Sequence, residues 1–199
     1  MKGNLKLAAG RKTVKKLIGV SKQLFTERGY DNTTLEDVAK MAGLTRGALY
    51  HHFGGKKGLF QAVLENVLYD YFVQLEKKLM AFQNPWEKLL EFTYDFLKAC
   101  TTPVISQIVI VDSCSILGMN VLVEIDEKFT MGLIKNILSE LKNSKKNISI
   151  NINIMANIIY GSTQQLGLYI AQEEDPQKAF LESYSTMKLL FFSLKNDYE

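Results

Sequence analysis

Two short apolar stripes of helical period, each cut off by glycine, stand back to back in TTLEDVAKMAGLTRGALYHHFGGKK, residues 33–57. Leu35, Val38, Ala39 and Ala42 make the first stripe, ended by Gly43. Leu49 and Phe53 make the second, closed by Gly54 and Gly55. Helices this short gain their stability from packing rather than propensity, so both must lean on a longer neighbour. Val14, Leu17, Ile18, Leu24 and Phe25 supply it as a first helix over about 11–28 that stops at Gly29. Thr34 stands before Leu35 with Asp37 three positions on, a capping box with Asp in place of the usual Glu or Gln. Thr45 can cap the third helix. Two short helices joined by a glycine-bearing turn make a helix-turn-helix.

A long pattern from Lys57 (Leu59, Phe60, Val63, Leu64, Val67, Leu68, Tyr71, Phe72, Leu75, Leu79) reaches about Phe82 and links this head to a body. Pro85 opens a helix to about Cys100, Pro103 opens another ending near Gly118, and a further one runs from about Asn120 to Asn143. Asn143 to Asn147 is predicted as a loop. Ile148, Ile150, Ile152 and Ile154 alternate with Ser149, Asn151 and Asn153, which is a strand signal. No second strand pattern exists to pair with it, and its backbone groups would go unsatisfied. Ile148 to Ile150 is therefore read as an extended lead-in, and Asn151 as the cap of a helix through Met155, Ile158, Ile159, Ser162, Leu166 and Tyr169. Pro176 starts the last helix, which reaches about Asn196 with Phe180, Tyr184, Met187, Leu190 and Phe191 on its apolar face. The expectation is an all-α chain of about nine helices: a three-helix head over 1–56 and a helical body over 57–199.

Charge divides along the same line. Residues 1–60 carry 12 Lys/Arg against 4 Asp/Glu, and the rest carry 12 against 17, giving +8 and −5. A basic head on an acidic body points to a polyanion partner at one end, unless the clustering is only that of solvated faces. Leu5, Leu7, Ala8 and Ala9 do not form the continuous apolar stretch of a signal peptide, and no apolar run approaches the length of a membrane helix. The expected location is the cytoplasm. Cys100 and Cys114 have no CxxC spacing and no nearby His, which disfavours a disulfide or a zinc site.

In a helix-turn-helix the second helix enters the major groove, so its outer residues must offer donors to phosphates and base edges. With Leu49 and Phe53 inward, Arg46, Gly47, Tyr50 and His51 fall outside. Arg46 can reach guanine acceptors or phosphate, Gly47 lets the backbone approach, Tyr50 offers a ring and a hydroxyl, and His51 a donor. Thr34, Thr45 and Lys56 sit at helix starts, where free amides already favour an anion. Taken one at a time, the threonines serve equally as caps, and Tyr50 and the histidines as surface groups.

TTLEDVAKMAGLTRGALYHHFGGKKGLF resembles the DNA-binding signature of the tetracycline-repressor (TetR) family of bacterial transcription regulators, including the Tyr-His pair before Phe53 and the Lys before the fourth helix. Lys57 departs from the acidic residue common there and adds positive charge. IVIVDSCSILG, the EIDEKF helix and YGSTQQLGLYIAQEEDP resemble the regulatory domain of several members. The resemblance implies a homodimer whose last two helices pack with the partner's, bound to a double-stranded operator in the bacterial nucleoid. It also implies a pocket among the middle helices whose small-molecule effector releases the DNA, with repression as the regulatory sense. Candidate interface residues are Gly161, Ser162, Leu166, Tyr169, Tyr184, Met187 and Phe191, with Gly167 allowing close approach; both helices could instead only complete the chain's own core.

Candidate pocket residues are Phe92, Phe96, Cys100, Asp112, Met119, Tyr160 and Gln164, joined by Trp86, Gln107 and Asn157. Aromatic residues at helical spacing fit plain core as well. Asp112 stands in an apolar run and must be paired, hydrogen-bonded or protonated; it can meet a ligand or brace a neighbouring helix. His51 and His52 are adjacent and cannot share a metal as an i, i+4 pair would. GGKKG lacks the GxxxxGK spacing of a phosphate loop, so neither catalysis nor a cofactor is expected. Control by a protein partner or by thiol oxidation is the alternative to a small ligand.

Overall fold

The computed structural model describes residues 2–144 and 150–198. The head is α1 (Lys2–Arg28), α2 (Leu35–Ala42) and α3 (Arg46–Phe53), and α4 (Lys56–Leu79) carries the chain into the body. Helix α1 begins well before the Arg11 expected from its apolar pattern. Leu17, Leu24 and Phe25 of α1 are buried with Val38 and Ala42 of α2, Leu49 of α3 and Leu59, Phe60 and Val63 of α4. The stripes seen in sequence are thus the inner faces of one small core.

The turns are fixed by hydrogen bonds. Thr33, buried, donates its hydroxyl to the carbonyls of Gly29 at 2.9 Å and Leu24 at 3.3 Å, tying the loop before α2 to the end of α1. Gly43 at φ 62° returns its N–H to the last carbonyls of α2, a left-handed cap that a side chain resists. Gly58 has a different role. A Cβ there would lie 2.0 Å from the Phe53 carbonyl oxygen, so α4 leaves α3 across a contact that admits only hydrogen.

The body is α5 (Pro85–Ala99), two composite helices, and the pair α8 (Ile152–Gln172) and α9 (Pro176–Tyr198). Helix α6 covers 105–117: a π-helical stretch, Ile105–Asp112, runs into α-helical Ser113–Leu117. Helix α7 covers 119–144, with a π turn at Glu127–Met131 between Met119–Asp126 and Gly132–Ser144. Widened turns of this kind gather at functional sites. The all-helical expectation holds, and among the described residues there is no strand. Asn151 caps α8, accepting from the Ile154 N–H at 3.2 Å. Ile150 is non-helical and buried, whereas Ile148, Ser149 and the end of the loop expected at Asn143 to Asn147 lie outside the described residues.

Because the Gly58 contact is with backbone, no rotamer change relieves it. Gly58→Ala is expected to destabilise the chain by roughly 2–3 kcal/mol, the upper part of the range for overpacking. Urea unfolding followed by circular dichroism measures this, and an unchanged midpoint would mean that α4 is free to draw away from Phe53.

Candidate nucleic-acid interface

Helix α3 presents one open face. Thr45 caps it, its hydroxyl accepting from the Ala48 N–H at 3.3 Å. Arg46, Gly47, Tyr50 and His51 are exposed, while Leu49 is fully buried beneath them. Arg46 is already oriented. Its guanidinium pairs with Glu36 of α2, donates to the Tyr50 hydroxyl at 3.2 Å and lies 5.4 Å from that ring's centre. Both members of the ion pair are more than half exposed, so it is worth little and can be exchanged for a phosphate. At Gly47 an added Cβ would meet nothing nearer than the Thr45 hydroxyl at 3.8 Å, so its surface is clear.

Thr34 and Lys56 frame this face from two further helix starts. Thr34 and Asp37 form a complete capping box: the Asp37 N–H donates to the Thr34 hydroxyl at 3.1 Å, and the Thr34 N–H and hydroxyl donate to Asp37 at 3.0 and 2.6 Å. Lys56 leans over the Tyr30 ring, its ammonium 4.1 Å from the centroid and 3.4 Å from the Asp31 carbonyl. The charge therefore stays at the corner between α1 and α2.

Asp112 is held by hydrogen bonds within the chain. One carboxylate oxygen accepts the Tyr30 backbone N–H at 3.0 Å and the other accepts from Gln107 at 3.0 Å, which braces the π-helical part of α6 against the head. Phe92, Phe96 and Cys100 are all buried, with the two phenylalanine rings stacked at 6.2 Å. Trp86 is buried too. Burial pushes the Cys100 thiol up to about 12, which leaves it protonated at neutral pH.

The space between the middle helices is a cavity of about 290 Å³ that does receive Met119, Tyr160 and Gln164. Its wall also includes Asp126, which the sequence reading passed over inside EIDEKF. Tyr160 donates its hydroxyl to Asp126, and the Gln164 amide donates to Tyr160 at 3.2 Å. Burial raises the Asp126 carboxyl above its ordinary value, while the bond from Tyr160 pulls it back. A groove of about 940 Å³ between α1 and α4 is larger but lies open to solvent, edged by Arg11, Lys15 and Lys22. The smaller space is the less open of the two and lies among the helices of the body, which makes it the better candidate for a ligand.

The last two helices turn a different face outward than their apolar pattern suggested. Met187 and Phe191 are buried in the chain's own core, and Tyr184 packs against Tyr94 and Phe180 with ring centres 5.0 and 6.4 Å apart. Leu166 is half-buried against the core, and Gly167 faces inward, where a Cβ would lie 3.0 Å from the Cys100 sulfur. Gly161 and Tyr169 are exposed and Ser162 half-buried, in line with Ile154 and Ile158 on α8. Leu181, Leu189 and Phe192 continue the exposed apolar surface on α9.

The family description "Bacterial regulatory proteins, tetR family" matches residues 17–63, and "Tetracyclin repressor-like, C-terminal domain" matches residues 86–194. The chain belongs to the TetR family. It is a DNA-binding transcriptional regulator whose helix-turn-helix is the α2–α3 pair. A TetR-family transcriptional regulator from Pectobacterium atrosepticum is 28% identical, with a TM-score of 0.81 over 92% of this chain and 94% of that one. FadR from Bacillus subtilis, solved with stearoyl-CoA, shares the fold at a TM-score of 0.75 and 16% identity, over 89% and 97% of the two chains. The biofilm-operon negative regulator IcaR of Staphylococcus aureus is 35% identical over 82 residues, 41% of this chain and 42% of that protein. No helix among the described residues of this TetR-family chain is long and apolar enough to cross a membrane.

The capping box makes a measurable claim. Thr34→Ala is expected to cost roughly 1 kcal/mol. The Thr34 hydroxyl and N–H hold the Asp37 carboxyl below its usual 3.8, so its ionised form stabilises the fold above that pH and the contribution disappears as the pH falls through the lowered native value. The deficit of Asp37→Asn against the parent is therefore expected to be full at pH 7 and to close well below pH 3.8. Urea midpoints across that range check it; a deficit that persists in acid would assign the stabilisation to something other than the carboxylate.

Proposed function

We propose that this TetR-family regulator is a ligand-responsive repressor, that it binds a near-palindromic operator as a homodimer, and that a small molecule in the body releases it. The observation that carries the DNA half is the open face of α3. Arg46, Gly47, Tyr50 and His51 are exposed over a buried Leu49, and Thr34, Thr45 and Lys56 stand at three helix starts around them. In this reading Arg46 reads a base edge or grips a phosphate, Tyr50 packs on a thymine methyl, and the helix starts hold the backbone. The head over 1–56 is the reader and the body over 57–199 the sensor. IcaR, a negative regulator, supports the repressive sense, and FadR, solved with a ligand, supports the effector.

One recognition helix of this length covers few bases, so two must act together about 34–36 Å apart on the duplex. The exposed surface of Ile154, Ile158, Gly161 and Tyr169 with Leu181, Leu189 and Phe192 supports a four-helix interface between α8 and α9 of the two protomers. Thiol control would have to run through Cys114, which is exposed, since Cys100 is buried and held protonated.

Fluorescence-anisotropy titration against DNA from the chain's own upstream region, with scrambled DNA as control, tests the reader. Arg46→Ala is expected to weaken specific binding about tenfold or more, and Tyr50→Phe by a smaller factor, with melting temperatures unchanged. Parent affinity in both variants would remove these residues from the contact.

In sedimentation, the parent chain is expected to run as a dimer and Ile158→Glu as a folded monomer, because that position is more than half exposed in the protomer and its replacement disturbs no internal packing. A dimeric Ile158→Glu would place the interface on another surface.

A further inference from the structure

The cavity of the body has an asymmetric chemistry. Leu64 and Leu68 of α4, Val109 and Ile110 of α6 and Leu122 of α7 give it hydrocarbon walls. Ser113, Cys114, Tyr160, Gln164 and Gln165 add neutral polar groups, and among the described lining residues Asp126 is the one that carries a charge. No Lys, Arg or His is among the described residues that line it. An anion placed there would meet a carboxylate and no counter-charge, at a heavy desolvation cost.

One oxygen of Asp126 is engaged within the chain. Its Oδ2 accepts from Tyr160, which Gln164 holds in place, and no side chain among the described residues bonds Oδ1. The carboxylate sits at the last turn of Met119–Asp126, where the π turn Glu127–Met131 begins. The nearby cations are engaged elsewhere: Lys128 pairs with Glu65 at 3.6 Å and Lys135 with Glu127 at 2.6 Å. A desolvated carboxylate facing an apolar space favours a partner that brings both hydrocarbon and positive charge, because the attraction strengthens as water is excluded.

Resting on the ligand-responsive reading, we propose that this cavity takes a small apolar cation, an amine or ammonium compound whose hydrocarbon lies against Leu64, Leu68 and Leu122 and whose charge meets Asp126. The volume of about 290 Å³ limits it to a compact molecule without a large polar headgroup. Tyr160 and Gln164 are positioning residues, holding the carboxylate toward the space.

Isothermal titration of the full-length protein at neutral pH with 4-phenylbutylamine, 4-phenylbutan-1-ol and 4-phenylbutanoate separates charge from size. The amine is expected to bind at least about tenfold tighter than the alcohol, and the carboxylate more weakly than either. In Asp126→Asn the preference for the amine is expected to vanish while the alcohol keeps its affinity. An amine that binds no tighter than the alcohol, a preference that survives Asp126→Asn, or no amine binding at millimolar concentration overturns the assignment. The comparison within the parent protein stands whether or not the variant folds. Operator affinity with and without saturating amine is read separately: an amine that binds through Asp126 and leaves DNA binding unchanged upholds the ligand class and defeats release by this ligand.

Discussion

Asp112 is where the body takes hold of the head. Its carboxylate accepts the Tyr30 backbone N–H, and Gln107 fixes it from one turn away. Tyr30 follows Gly29, at the corner where α1 gives way to the loop before α2. Its ring packs edge-on against Phe60 of α4 and lies near Phe25, while Lys56 covers its face. One residue thus joins the ends of three elements. A hydrogen bond from a backbone amide to a carboxylate is stronger than a neutral one and fixes position along the chain, not merely contact. This corner adds a directional hold to the apolar packing that seats α1 and α3 on α4.

The π-helical stretch Ile105–Asp112 explains how such a corner can respond to the body. Val109 and Ile110 line the cavity, and Asp112 at the end of the same stretch grips Tyr30. Helix α8 lines the same cavity with Gln164, Gln165 and Leu168 and comes so close at Gly167 that a Cβ would stand 3.1 Å from Ile110. Packed elements of this kind change between discrete arrangements, and a widened turn holds hydrogen bonds that rearrange more readily than those of an α-helix. The release we propose therefore requires no long chain of contacts: sensing and grip belong to one segment.

The head was legible because its signals are local. Thr34 with Asp37, Thr45, Gly43 and the stripe of Leu35, Val38, Ala39 and Ala42 each specify their neighbours within four residues, and all are found in those roles. The body's fold was legible for the same reason, through Pro85, Asn151 and Pro176. Its chemistry was not. Phe92, Phe96 and Cys100 repeat at helical spacing whether they line a cavity or fill a core, and all three are buried. Asp112 was marked by its apolar neighbours, but its partner lies 82 residues earlier and leaves no trace in spacing. Asp126 was hidden for the opposite reason, in a run of charges where one more carboxylate looks solvated. On α9, Met187 and Phe191 point inward while Leu189 and Phe192 point out. Steps of one or two residues turn a helix by about 100 or 200 degrees, and a helix apolar on several faces does not declare which one is covered.

In the proposed reading, the exposed pair of Arg46 and Glu36 sets what any DNA must displace. In the free protein the guanidinium is neutralised by a carboxylate from α2 and steadied by Tyr50. Any polyanion must therefore displace Glu36 before it gains Arg46. The exchange costs little, because a pair this exposed is weak, yet its cost is the same at every sequence. Nonspecific phosphate contact then returns little more than it displaces, whereas a site that offers Arg46 two guanine acceptors returns a bidentate bond that Glu36 does not match. In the proposed reading Glu36 lowers affinity for every sequence alike, and the difference between one site and the rest is set by the bidentate bond that only the right bases return.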